Sequence, residues 1–461
     1  MVAPPAILTS GREPAPLALT NAAVLPMTGE SLPGPHTVLV EQGAIAGIVA
    51  SRVDAMPTGT RVLDCTGKTI MPGLVDAHAH VSHPASAALW LCHGVTAVRD
   101  MWGSPVQLAW RDDVAAGRLA GPRLVPASPY LDGIARYPGV VAVDSPEAAA
   151  AAAAEYVRVG YAALKVYSGL SLPALRAAGE VARDAGIPVV GHCPDGVSIA
   201  DALTAGQRGF EHLLGLRAGF PSADPALNIV ERVTRLRDTP WDHVRRAGAL
   251  LAEAGATVTP TLAVMSRLAD RATDHADDPA LAHVPAVARR RWARAGIPVP
   301  PGRSARELRD AIAGQLRWHR RAAAIVVEEG ATLLVGTDAG SIWTVPGFAM
   351  ADEMRELQRS GLASAQILRA ATVDAAAACG QSGRWGRLAV GQSADLLVLD
   401  EDPLLDPTAA TRPAAVLMGG VHLTRADLDA ALADHAATVE SIAALPEQGL
   451  APMARAAWFD R

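Results

Sequence analysis

Cysteine is scarce in this chain: only Cys65, Cys92, Cys193 and Cys379 occur. Four scattered thiols do not make a disulfide framework, and they suit a reducing compartment. No apolar run approaches the length that spans a bilayer. The N-terminus lacks a basic start followed by a long apolar stretch, so no secretory leader is expected and the cytoplasm is the default location. A strong charge of one sign is missing too. Lys and Arg number 41 against 47 Asp and Glu, a net charge of -6, which calls for neither nucleic acid nor an anionic membrane. The short basic run 289–291 sits in a helical, charge-mixed stretch and reads as a solvated face.

What the chain does have is enough apolar material for a large core. It is 461 residues long and 50% hydrophobic, which fits a large barrel plus a second domain. Residues 17–63 read as short strands broken by Gly and Pro, at 18–25, 37–41, 44–50 and 61–64. From 70 to 335 short apolar strands alternate with Ala-rich helical stretches, the pattern of repeated βα units on a parallel sheet. The strand ends fall at 76–80, 95–100, 123–127, 164–167, 188–192, 209–213, 257–261 and 332–335. Eight such units predict an α/β fold, a (β/α)8 TIM barrel. Helix fills 146–160, because alanine is the best helix former. Long helical insertions are expected at 214–255 and 263–329. After 371 the chain turns β again, and 386–400 reads as turn, strand, turn, strand. The expected organisation is therefore a small β-sandwich domain built from both chain ends (1–69 and 371–425), a barrel over 70–370, and a helical tail over 426–461.

The chemistry-bearing residues cluster at strand ends. In Met71-Pro-Gly-Leu-Val-Asp-Ala-His-Ala-His80, residues two apart on a strand point the same way, so His78 and His80 share one face and can hold one metal ion. Two polar histidines on an exposed strand would look alike. His192 ends the fifth strand and His212 the sixth. Active sites of barrels are built at these carboxyl ends. Asp338 follows the eighth strand, where a helix cap or turn is the commoner use of aspartate. Lys165 stands between apolar residues in the fourth strand. Burial would lower its pKa, and a neutral amine can add carbon dioxide to become an anionic carbamate; otherwise the side chain snorkels to solvent. Tyr130, Tyr167 and Trp343 lie just past strand ends, as pocket lining or as ordinary packing. Arg99 and Asp100 read as a structural ion pair.

Taken together, Pro72–His80, the run 94–100, Leu164-Lys-Val-Tyr-Ser-Gly169, Gly191-His192, Glu211-His212 and Gly336-Thr-Asp338 resemble the amidohydrolase superfamily in its binuclear, carboxylated-lysine form. The similarity is to the imidazolonepropionase-like and Xaa-Pro dipeptidase (prolidase)-like branch, and it runs from about residue 17 to 425 in matching order. The resemblance implies that His78, His80 and Asp338 hold one metal, that His192 and His212 hold a second, and that Lys165 bridges them as carbamate. Zinc is the default metal. It also implies hydrolysis of an amide-type C–N bond in a small molecule (an N-acyl amino acid, an Xaa-Pro dipeptide or a cyclic amide) by a metal-bridging hydroxide, with Asp338 as general base and acid. Two departures stand out. Relatives often carry Tyr or His two positions after the fifth-strand histidine, where this chain has Pro194. They often carry a His where this chain has Ala351. A mononuclear ring deaminase of the same superfamily and a non-catalytic binding barrel are the alternatives; Lys165 argues against the first, and the survival of all six ligands against the second. The Ala- and Leu-rich helices suit a homo-oligomer.

Overall fold

The computed structural model describes residues 15–29, 31–50, 59–134, 141–217, 229–269, 277–294, 299–341 and 343–443. Eight parallel strands carry the site: Leu74–Ala79, Val95–Asp100, Arg123–Pro126, Leu164–Val166, Val189–Gly191, Gln207–Glu211, Thr257–Thr259 and Thr332–Leu333. Every residue of the first two is buried, as expected of parallel strands covered on both faces. The first three strands form one sheet. The other five, with the short strands Leu131–Asp132 and Val141–Ala142, form another.

Single bridges join both edges of the three-stranded sheet to the other sheet, Ala127 to Ala163 and Ala79 to Ala339. Ser128 N–H donates to Ala163 O (2.9 Å) and Ala77 N–H to Val335 O (2.9 Å). Among the described residues a continuous eight-strand ladder is not present. The third strand ends at Pro126, which has no N–H to donate, and the eighth is two residues long.

The helices are set by their ends. Pro146–Val159 starts at Ser145, whose hydroxyl accepts from Ala148 N–H, and stops at Gly160 with φ +95°. Such a left-handed stop favours glycine. The expected insertions contain Ile229–Arg237 and Trp241–Glu253, then Leu262–Ala269, Ala286–Arg294 and Ala305–Glu328; residues 218–228, 270–276 and 295–298 of those predicted segments lie outside the described residues. Ala305–Glu328 begins with a reciprocal capping box between Ser304 and Glu307 and packs on the helices before it.

Strands from both chain ends share one eight-stranded sheet. Thr69–Pro72 joins the halves, because it pairs with Leu17–Val24 on one side and Leu396–Leu399 on the other. The described strands of the two chain ends are hydrogen-bonded into that one sheet. Its core includes Leu19, Val38, Ile45, Ile70 and Leu396. Arg123 ties it to the third parallel strand through a two-pronged contact with Asp395, at 2.6 and 3.2 Å. The chain then enters the helix Arg425–Ala443, which packs on the helix Ala87–Cys92. Among the described residues, no helix is long and apolar enough to cross a membrane.

Candidate metal centre

His78 and His80 point together from the end of the first parallel strand. The end of the eighth strand is stitched to that backbone: Asp338 and Thr337 N–H both donate to His78 O, at 2.7 and 3.1 Å. Asp76 strengthens the seam by accepting from Thr337 Oγ1 (2.6 Å) and Trp90 Nε1 (3.2 Å). Asp338 sits at φ +57°, a conformation costly for a side-chain-bearing residue and common at functional sites. Close approach requires glycine beside it. A Cβ at Gly336 would lie 2.7 Å from His78 N, and one at Gly340 2.5 Å from His80 O.

The result is three converging ligands. Asp338 Oδ1 lies 2.8 Å from His80 Nε2 and 3.6 Å from His78 Nε2. One ligand atom from each residue lies within 4.8 Å of the others, and all three residues are buried. Among the described residues Asp338 Oδ1 and His80 Nδ1 have no aligned hydrogen-bond partner. A buried carboxylate oxygen facing two imidazole nitrogens without an aligned donor fits a cation between them. Burial pushes Asp338 up. Its close contact with His80, then the charges of His80, His78 and His212, outweigh this and hold it well below the usual carboxylate range. Burial first, then Lys165 and His212, keep His78 far below its ordinary pKa, so it is the neutral ligand form.

A buried relay sets the His78 ring. Its Nδ1 lies 2.7 Å from Glu211 Oε2. Glu211 Oε1 accepts from Arg99 NH2 at 2.9 Å, and Arg99 Nε donates to Ala77 O at 2.6 Å. The carboxylate holds the proton on Nδ1 and leaves Nε2 as the free lone pair, the usual arrangement behind a metal-binding histidine. The expected Arg99–Asp100 pair is therefore corrected. Neighbouring side chains on a strand point to opposite faces. Arg99 meets Glu211, while Asp100 accepts from Val81 and Trp102 N–H at 3.0 and 2.8 Å.

His212 and His192 stand beside this trio. The His212 ring centroid is 4.7 Å from that of His78 and 5.0 Å from that of His192. Thr261 Oγ1 donates to Pro260 O (2.8 Å) and lies 2.7 Å from His212 Nδ1. With its own proton used, the hydroxyl accepts from Nδ1–H and leaves His212 Nε2 free. Burial pushes His212 down to about 4. His192 Nδ1 pairs with Ser168 Oγ at 2.7 Å. Among the described residues only His78, His80 and Asp338 have ligand atoms tight enough for one ion as they stand.

Lys165 is 1% exposed. Its stem passes Gly191, where a Cβ would sit 3.1 Å from Lys165 Cδ. Burial pulls the amine down to about 8, against the charges of Glu211 and Asp338. The snorkelling alternative is thereby removed. Tyr167 stacks on His192 (3.9 Å) and on Tyr130 (4.7 Å), and Lys165 Nζ is 5.9 Å from the Tyr130 ring centre. Trp343 goes elsewhere, packing with Trp292, Leu89 and Val345. Glu211, Thr261 and Ser168 are site residues for which the sequence reading assigns no role; Glu211 was visible only as the neighbour of His212.

Comparison places the chain in a class. The model of the amidohydrolase family matches residues 69–422, and the chain belongs to that family. It is a hydrolase acting on C–N bonds. Among solved structures it is similar to a bottromycin amidohydrolase, with 30% identity and a TM-score of 0.77 over 94% of this chain and 93% of the other. It is also similar to a putative prolidase from Bifidobacterium longum, with 26% identity and a TM-score of 0.67 over 92% and 99%. A 108-residue stretch is 32% identical to an adenine deaminase of Ruegeria pomeroyi, covering 22% of this chain but 17% of that protein.

Proposed function

We propose that this chain is a binuclear metal-dependent amidohydrolase that cleaves an amide-type C–N bond in a small peptide-like or N-acyl substrate. The observation that carries the reading is the convergence of His78, His80 and Asp338 beside His212, His192 and a buried Lys165. His78, His80 and Asp338 would hold one divalent ion and His192 and His212 a second. Lys165, as carbamate, would bridge them. The two parallel sheets are read as arcs of one barrel over about 70–370. The near-complete span of similarity to an amidohydrolase and a putative prolidase supports amide chemistry.

Divalent ions held by these residues would supply an acidified water and a polarised carbonyl. The chain's own residues do the rest. Asp338, held anionic, takes the proton from the attacking water on one of its oxygens and passes it to the leaving nitrogen. Glu211 and Thr261 fix the tautomers of His78 and His212, so both present Nε2. Tyr167, stacked on His192, walls one side of the centre.

The test is metal content of protein purified without chelator, beside Lys165→Ala and Asp338→Asn. About two ions per chain are expected, falling in Lys165→Ala. Asp338→Asn should lose about 10²- to 10⁴-fold in kcat on an N-acyl amino acid and dipeptide panel. One ion per chain, unchanged by Lys165→Ala, would favour the mononuclear deaminase reading instead.

A further inference from the structure

The helix Arg425–Ala443 docks through a stripe spaced three and four residues apart: Leu428, Ala431, His435 and Val439 are all buried. Three of these suit a core-facing stripe. His435 does not, because a ring that is 4% exposed needs partners for both nitrogens. Its Nε2 has none among the described residues. Its Nδ1 faces His283 Nδ1 at 3.4 Å. His283 ends the turn Pro279–His283, on which the helix packs. The two elements are held in place independently of this contact. Phe348 packs on the His283 ring with centroids 5.1 Å apart, and Glu440, further along the helix, accepts Ala286 N–H at 2.8 Å.

The facing nitrogens are too far apart for a good hydrogen bond, since an N–H donor normally sits within about 3.2 Å of its acceptor. They match a different arrangement. Two imidazole nitrogens on one tetrahedral ion, each about 2.0–2.1 Å from it, lie about 3.3–3.4 Å apart. Both rings are in the neutral, ligating form at neutral pH. Burial first, then the charges of His283 and His83, push His435 down to about 4, and burial lowers His283 as well. His83 does not join the pair: its Nδ1 accepts Ala85 N–H at 3.1 Å, so its proton stays on Nε2. His283 is only partly buried, which leaves an approach for water and for an ion. Among the described residues the strand-end trio is the one group of three that is tight enough for an ion; here two ligands meet, and neither belongs to that trio.

We propose that His283 and His435 form a separate metal site, outside the strand-end centre, that takes a divalent transition ion such as zinc through both Nδ1 atoms, with water completing the shell. Binding there clips the helix Arg425–Ala443 to the insertion between the seventh and eighth parallel strands. It asks nothing of the strand-end centre and does not rest on the amidohydrolase reading.

Zinc counting tests it on the full chain, first loaded with zinc and freed of loose ion. Equilibrium dialysis against micromolar free zinc is run on wild type, His283→Gln and His435→Gln. Wild type should hold about one ion per chain more than either variant, and added zinc should raise its thermal midpoint by more than theirs. No extra ion on wild type overturns the site. So does an equal count in wild type and both variants, which marks an adventitious ion elsewhere, and so does loss of more than one ion in His283→Gln, which ties the pair to the strand-end centre. Hydrogen exchange on wild type needs no variant: added zinc should slow exchange in both 279–283 and 425–443, and protection that misses either segment overturns the clip. Because the site is counted as a difference between wild type and variants, an empty strand-end centre would sink the amidohydrolase reading and leave this result standing.

Discussion

Replacing Glu211 by Gln tests the relay behind His78 without changing its shape. Glu211 Oε2 is 2.7 Å from His78 Nδ1 and Oε1 is 2.9 Å from Arg99 NH2, with all three side chains at most 2% exposed. At an effective dielectric of about 20, unit charges 2.9 Å apart attract by about 6 kcal/mol. Desolvation of both ions offsets much of that, but removing one partner leaves Arg99 buried and uncompensated, at about 3–5 kcal/mol. Gln keeps the volume and one acceptor oxygen, so the lower end applies to stability. For the metal, losing the carboxylate behind a histidine ligand costs about 10- to 100-fold in affinity or activity. The assays are urea unfolding of the metal-free chain and chelator competition on the loaded one. Expected are a loss of about 3 kcal/mol and a tenfold or greater rise in the metal dissociation constant. Metal affinity within twofold of wild type together with unchanged stability would refute the relay.

Two further outcomes follow from single buried contacts. Thr261→Val removes the acceptor of His212 Nδ1–H and should weaken metal retention about tenfold while Thr261→Ser restores it, read by the same chelator competition. Glu353 is raised by burial to about 8 while its carboxylate accepts Ala263 N–H at 2.6 Å. A carboxyl with a raised folded pKa binds a proton that the unfolded chain has released, so its contribution is fully present below the ordinary carboxylate pKa and is lost as pH rises through about 8. Wild-type unfolding free energy should thus fall with pH across that window with a slope of up to about 1.4 kcal/mol per pH unit from this group, and Glu353→Gln should flatten it; identical slopes would reject the assignment.

Which of these features were readable from sequence follows from how far apart the partners lie. His78 and His80 are two residues apart, so strand alternation alone puts them on one face. His192, His212 and Asp338 each sit where an apolar strand stops, and parallel strands bring their carboxyl ends to one side of a sheet. The Arg99–Asp100 pair fails on the same rule, because alternation turns adjacent strand residues to opposite faces. The true partner, Glu211, is 112 positions away, and no periodicity encodes such a distance. Thr261 serving His212 across 49 positions is hidden for the same reason. The aromatic residues show the limit differently. Tyr130, Tyr167 and Trp343 all lie just past strand ends, yet Tyr167 stacks on His192 and Trp343 packs against Trp292, because position after a strand fixes the height of a residue above the sheet and not the neighbour it faces.

What selection of ligands leaves undetermined is their protonation, and that is set by residues the local pattern does not reveal. A neutral histidine binds a cation only through the nitrogen that lacks a proton. Glu211 and Thr261 decide that nitrogen for His78 and His212 from two different strand ends, while Gly336 and Gly340 let the Asp338 backbone come close enough to meet both His78 and His80. A variant that retains all six proposed ligands but loses these four would keep the sequence signature of the centre without its geometry. Motif survival is therefore a weaker criterion for activity in this chain than survival of the motif together with Glu211, Thr261, Gly336 and Gly340.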